Sequence, residues 1–110
     1  DKDLNNLLRT KLKKYSSNNS KNNYILNINS NFIKSVTSKD KTGRATNVQL
    51  VARVEFNVSF SEKEKNFIYE ENINIENSSD AYEQRNYENS IKNSFTNTII
   101  NKLILQLNTF

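Results

Sequence analysis

Residues 47–60 have the sequence N-V-Q-L-V-A-R-V-E-F-N-V-S-F, in which an apolar residue occupies every second position. Successive side chains of a β-strand point to opposite faces of its sheet, so this alternation predicts a strand with one dry face and one wet face. The segment contains neither proline nor glycine, which would weaken a strand. We therefore take it as the strand around which the other elements are arranged.

Two further strands are predicted, one on each side of this segment. Residues 24–36 carry β-branched and aromatic side chains two or four positions apart, and residues 67–75 show a similar pattern. Gly43, the only glycine, lies in K-D-K-T-G-R at 39–44, which predicts a hairpin with a basic tip because glycine accepts the positive φ of tight turns. Residues 61–66 are predicted to form the second turn. The sheet is then an antiparallel meander.

Two amphipathic helices are predicted at the ends of the chain. The first has Asp3 as its N-cap and leucines three to four residues apart, and it ends near Tyr15, before a polar loop at 16–23. The second has Asp80 as its N-cap with Glu83 three residues later, the spacing of a capping box. Its apolar face consists of Ile91, Phe95, Ile99, Leu103 and Leu107.

Both helices need the dry side of the sheet to bury their apolar faces. The sequence therefore predicts an α+β fold for a single domain, residues 1–110, with two helices packed on one face of a mostly antiparallel three- to four-stranded sheet. The alternating polar residues of the strands leave the other face wet.

The composition points away from catalysis. The 110 residues contain no Cys, His or Met and one Gly, so thiol chemistry, imidazole chemistry and a glycine-rich phosphate loop are excluded. Glu70 and Glu71 are adjacent on a predicted strand and point to opposite faces, while Glu62 and Glu64 lie in a predicted turn. We predict no enzyme activity, no catalytic residue, no metal and no cofactor.

Charge is unevenly distributed along the chain. The net charge is +4, but residues 1–50 hold ten Lys and Arg against three Asp and Glu, and residues 51–110 hold six against nine. Such asymmetry can mark an anion-binding face, although a solvated surface is the commoner outcome. Lys39, Lys41 and Arg44 on the hairpin are the best candidates to bind phosphate groups, with an ordinary soluble turn as the alternative.

Two other functions stay open. A small basic nucleic-acid-binding module is one, because Tyr15, Tyr24 and Phe32 are interspersed with basic residues such as Lys34. Core packing explains the aromatic residues better, so we expect no nucleic acid as partner. No segment reaches the roughly 20 apolar residues that span a bilayer, and we expect any membrane attachment to lie outside this sequence.

The order of the elements, the turn T-G-R-A-T at 42–46 and the Asn- and Ser-rich connection at 77–80 before a long helix resemble the LPS-assembly lipoprotein LptE family. The resemblance implies a lipid-anchored, non-catalytic subunit on the periplasmic side of the outer membrane, with an LptD-type β-barrel and lipopolysaccharide as partners. It implies lipopolysaccharide contacts at Lys41 or Arg44, and at Arg85.

Members of that family begin with a lipid-bearing cysteine and a strand before the first helix. The resemblance therefore implies that the lipidated N-terminus and a first strand lie outside residues 1–110. A different periplasmic transport-accessory lipoprotein domain would satisfy the same physical constraints, and it remains the second alternative.

Overall fold

The structure consists of a three-stranded antiparallel sheet with two helices on one of its faces. The computed structural model describes residues 1–18, 25–60 and 62–108. The elements along the chain are α1 (Lys2–Asn18), β1 (Ile25–Lys39), β2 (Ala45–Phe60), β3 (Lys63–Glu76) and α2 (Ala81–Leu107). The strands lie in the order β1-β2-β3. The predicted α+β arrangement is confirmed, with three strands.

The central strand β2 supplies one wall of the core. Its even-numbered side chains from Val48 to Val58 point toward the helices and are buried, as the alternation predicted. Each has partners on both flanking strands; Phe56, for example, pairs with Ile28 on β1 and with Phe67 on β3. Burial of each large apolar side chain contributes about 1.5–3 kcal/mol. The buried residues of β2 are Val48, Leu50, Ala52, Val54, Phe56 and Val58.

The long helix α2 covers this wall and begins as predicted at the N-cap Asp80. Its carboxylate accepts hydrogen bonds from the amides of Tyr82 and Glu83 at 2.9 and 3.2 Å. The amide of Asp80 donates to Ser78 Oγ at 3.1 Å, so Ser78 takes the role that a capping box gives to Glu83. The predicted spine is confirmed, since Ile91, Phe95, Ile99, Leu103 and Leu107 are all buried.

The first helix begins earlier than predicted. Asp1, not Asp3, is the N-cap: its Oδ1 accepts from the amide of Leu4 at 2.8 Å, and its carbonyl accepts from the amide of Asn5 at 2.9 Å. An N-cap side chain accepts a hydrogen bond from the backbone amide two or three residues later, as Asp1 does. Asp3 therefore lies inside the first turn of the helix. The helix continues past Tyr15 to Asn18. The predicted polar loop lies largely outside the described residues.

The strands are also longer than predicted. Lys63 pairs with Phe60, and Asn66 with Asn57, so the predicted turn at 61–66 is wrong and its last four residues belong to β3. Glu62 has a φ of 68°, the left-handed conformation of a tight turn. Residues 63–66 are polar and show no apolar alternation, but their backbone pairing with β2 keeps them in the sheet. β1 extends to Lys39, while Tyr24 lies outside the described residues.

Candidate functional site

The tip of the β1–β2 hairpin is organised by one carboxylate. Asp40 Oδ1 accepts hydrogen bonds from the Thr42 hydroxyl at 2.7 Å, the Thr42 amide at 2.9 Å and the Arg44 amide at 3.0 Å. The Thr42 hydroxyl, then the Arg44 amide, lower the pKa of Asp40 below its ordinary value, because both donate to the charged form. Gly43 completes the turn with a φ of 85°. The tip is therefore an ordered loop that keeps its negative charge at neutral pH.

The three basic residues predicted on this hairpin lie around that loop. Lys39 is the last residue of β1, Lys41 lies in the turn and Arg44 immediately precedes β2, and all three are exposed. Within residues 1–18, 25–60 and 62–108, none of them forms an ion pair. Even with Asp40 ionised, the hairpin presents a net positive charge to solvent, which suits phosphate or carboxylate ligands.

The fourth predicted residue, Arg85, lies at the same end of the molecule but on a different element. The segment between β3 and α2 is fastened to the base of the hairpin, because Asn77 donates through its amide to the Thr46 carbonyl at 2.8 Å and through Nδ2 to the Ala45 carbonyl at 3.2 Å. This brings the start of α2 beside the hairpin. Arg85 is exposed on the first turns of that helix.

A recess of about 340 Å³ lies between the hairpin base and this segment. Of the four predicted residues, Arg44 is the one that lines it. Lys39, Lys41 and Arg85 surround this end of the molecule without contributing to the recess wall. The other lining residues are Ala45, Thr46, Asn47, Glu76, Asn77, Ser78 and Ser79.

Sequence reasoning named the cations of the hairpin but not the groups that position them. Asp40 and Asn77 have these roles, and neither was singled out. The spacing Asp40-x-Thr42-Gly43 is a usable signal for the first, because an aspartate followed two residues later by a donor forms an Asx-turn. The role of Asn77 depends on a contact across 32 residues and has no local signal.

The face of the sheet opposite the helices is the second candidate surface, here called the open face. Its side chains come from the odd-numbered positions of β1 and β2 and the even-numbered positions of β3. One row across the strands is Asn27, Asn57 and Asn66, and another is Asn31, Arg53 and Glu70. Its larger apolar side chains are Ile25, Ile33, Val51 and Ile68.

The carboxylates weighed as a catalytic pair are separated as expected. Glu70 lies on the open face, whereas Glu71 points to the helix side and accepts a hydrogen bond from Lys102 at 2.6 Å. Glu64 accepts from the Ser59 hydroxyl at 3.3 Å. In the described part of the chain, no three His, Cys, Asp or Glu side chains gather as metal ligands do. No described helix is long and apolar enough to cross a bilayer.

Comparison with solved structures defines the class of the fold. The rare lipoprotein B from Shewanella oneidensis has a similar structure, with a TM-score of 0.74, 18% sequence identity, and coverage of 96% of this chain and 85% of that one. None of the curated proteins matches the chain. This chain thus shares the two-layer α+β fold of that lipoprotein.

The family is shown by a second comparison. The family model "LptE: Lipopolysaccharide-assembly" matches residues 1–107, and this chain belongs to the LptE family. Members of the family are non-enzymatic components of lipopolysaccharide assembly and outer-membrane-associated lipoproteins. The chain accordingly has a role in lipopolysaccharide assembly, in association with the transport machinery.

Proposed function

We propose that this chain is a non-catalytic single-domain subunit that occupies the lumen of an LptD-type outer-membrane β-barrel from the periplasmic side, held at the membrane by a lipid anchor. The observation that carries the proposal is the open face. Both helices cover one side of the sheet, while the other side is left uncovered by them and is mainly polar. Family membership supplies the link to lipopolysaccharide transport.

The chemistry of the open face matches the inside of a large barrel. Barrel interiors are polar and hydrated, and asparagine side chains can both donate to and accept from such a wall. The scattered apolar residues, such as Ile33 and Ile68, offer small dry contacts within it. The molecule measures 58 × 22 × 20 Å. A cross-section of 22 × 20 Å needs a barrel far wider than the eight-stranded type, in which side chains fill the interior.

Lipopolysaccharide is the proposed ligand of the basic hairpin. Lys39, Lys41 and Arg44 surround the ordered tip, and Arg85 lies at the same end of the molecule. Arginine binds phosphate with two parallel hydrogen bonds, and lysine acts as a compact point charge. The four cations would bind the phosphate groups of the glycolipid as it passes the end of the domain.

The barrel proposal is tested by recovery of the barrel from native outer membranes with the full-length lipidated protein. A bulky residue on the open face, Asn57→Trp, is expected to reduce recovery, because it holds the sheet away from the wall. The matched control is Asn97→Trp, an exposed asparagine on α2. If unmodified protein brings down no large β-barrel, or if Asn57→Trp recovers as much as the control, the proposal is wrong.

The ligand proposal has a separate test that uses purified lipopolysaccharide. The double variant Lys41→Ala, Arg44→Ala is expected to bind at least about tenfold more weakly, since each charge-assisted hydrogen bond lost costs on the order of 1.5–3 kcal/mol. Lys63→Ala, Lys65→Ala removes the same charge from the β2–β3 end and is expected to retain binding. Equal losses in the two variants would assign the effect to net charge and contradict a hairpin site.

A further inference from the structure

The exposed side of α1 carries an ordered stripe of positive charge. Lys2, Asn6, Arg9 and Lys13 recur at i, i+4, i+7 and i+11, the spacing of one helix face, and all four are exposed. The opposite face of the helix holds Leu4 and Leu8, which are fully buried. The stripe is about 17 Å long. We call these four residues the α1 stripe.

The two sides of the molecule have opposite charge. On the open face, Arg53 and, at the hairpin end, Lys39 are accompanied by the acidic residues Glu55, Glu64, Glu70 and Glu76. The sequence of α1 contains five cations and one acid, Asp3. The other helix, α2, carries Glu83 and Glu88 against Arg85, Lys92 and Lys102, so it is close to neutral. Apart from the hairpin, the positive charge is therefore concentrated on α1.

We propose that the α1 stripe is a peripheral docking surface for an anionic phospholipid bilayer, which orients the domain with α1 against the lipid and the open face turned away from it. The proposal goes beyond the barrel role and concerns the domain outside the lumen, where α1 can reach lipid. It uses only the family's association with the outer membrane, which places a lipid surface nearby. Charge complementarity selects the occupant. A row of cations on a helix lying flat suits a surface of phosphates spread in a plane.

The stripe also leaves the proposed working surfaces accessible. A domain resting on α1 points its open face, on the other side of the sheet, into the aqueous space. The start of α1 lies beside Ser30 of β1, whose hydroxyl donates a hydrogen bond to the Asp1 carbonyl at 3.2 Å. The basic hairpin lies further along β1 and β2 than Ser30. Binding through α1 thus leaves the open face and the hairpin accessible to other partners.

The first test measures partition of the purified chain into vesicles of phosphatidylcholine with 30% phosphatidylglycerol, against vesicles of phosphatidylcholine alone, by cosedimentation. Each cation near an anionic surface contributes a factor of about five to the partition coefficient. The variant Lys2→Gln, Arg9→Gln, Lys13→Gln is expected to partition at least about tenfold more weakly. The control Arg53→Gln, Lys63→Gln, Lys102→Gln loses the same charge elsewhere and is expected to partition as the parent chain does.

The second test reads the orientation, and the absence of cysteine from the chain allows a single label. A fluorophore on Asn6→Cys is expected to be quenched by a headgroup-borne quencher in the anionic vesicles, and one on Asn57→Cys, on the open face, is not. Equal quenching of the two labels, equal losses in the two triple variants, or no preference for anionic vesicles would each overturn the proposal. Binding of single-stranded RNA with no binding to vesicles would overturn it in favour of a nucleic-acid site.

Discussion

The ammonium group of Lys92 on α2 lies 4.6 Å from the centre of the Phe32 ring on β1. The same group is 3.4 Å from the carboxylate of Asp3 and 3.6 Å from that of Asp1, both at the start of α1. The Lys92 side chain is only 13% exposed and that of Asp1 27%, whereas that of Asp3 is 75% exposed, so water screens the contact with Asp1 less than the contact with Asp3. One lysine thereby joins the two helices to an edge strand.

Replacement of this lysine tests that connection. Lys92→Met keeps most of the aliphatic packing and removes the charge, and we expect the free energy of unfolding to fall by about 1–2 kcal/mol. The control is Lys102→Met, whose ion pair with Glu71 at 2.6 Å involves a side chain that is 49% exposed. It should cost less than about 0.5–1 kcal/mol. Urea denaturation measures both, and equal effects would contradict a special role for Lys92.

Two leucines of α2 provide a test of the helix–sheet packing. Leu103 is fully buried, whereas Leu105, two residues later, is 67% exposed. Leu103→Ala is expected to lower the free energy of unfolding by about 2–5 kcal/mol because it leaves a cavity against the sheet. Leu105→Ala should change it by less than about 0.5 kcal/mol. Similar values in thermal or urea unfolding would show that the face of α2 is assigned wrongly.

The hairpin glycine separates backbone strain from crowding. A Cβ at Gly43 would have nothing within 4 Å, so the φ of 85° is what requires glycine here. Gly43→Ala is expected to cost about 1 kcal/mol of the free energy of unfolding, and Gly43→Asn less, because asparagine tolerates the left-handed region better. Chemical denaturation of the two variants makes the comparison. An alanine variant as stable as the parent would contradict the turn geometry.

The carboxyl group of Asp40 should titrate below the ordinary aspartate range. Its pKa is lowered in the folded chain by the Thr42 hydroxyl first and by the Arg44 amide. The hydrogen bonds to the charged carboxylate therefore stabilise the folded chain fully above the pKa of an unfolded aspartate, about pH 4. This stabilisation is lost as the pH falls through the lower pKa of the folded state. Carbon-13 NMR of the Asp40 carboxyl measures it.

A hydroxyl deletion assigns the cause of that shift. Thr42→Val removes the 2.7 Å donor and is expected to raise the pKa of Asp40 toward its ordinary value. Thr37→Val, on β1, removes a hydroxyl that donates to Asn74 and should leave the titration of Asp40 unchanged. A parent midpoint at or above the ordinary aspartate value would contradict the Asx-turn.

The sequence predicted the elements whose signal is local and repeated. The alternation over 47–60 and the apolar spacing from Ile91 to Leu107 each predict which side of the element faces the core. Both predicted faces are buried. The ends of elements were predicted less well. Residues 63–66 are polar and were assigned to a turn, yet they pair with β2, because hydrogen bonding to a neighbouring strand does not require an apolar side chain.

The candidate site divides in the same way. The charges of Lys39, Lys41 and Arg44 are visible in the sequence, and their clustering follows from the turn at Gly43. The attachment of the β3–α2 segment to the hairpin through Asn77 joins residues far apart in sequence, and it appears only when β3 is registered against β2. Whether these cations and Arg85 bind lipopolysaccharide stays a prediction.

The meander topology has a consequence for how the molecule reaches its folded state. Every strand pairs with its neighbour in sequence, so the sheet can form outward from two tight turns at a small cost in loop-closure entropy. Such low contact order favours rapid folding. The contact between Lys92 and Asp3, by contrast, spans 89 residues and closes the chain end to end. A nascent sheet would therefore form before its helical cover closes, and during that interval the apolar face of β2 would be exposed and prone to aggregation.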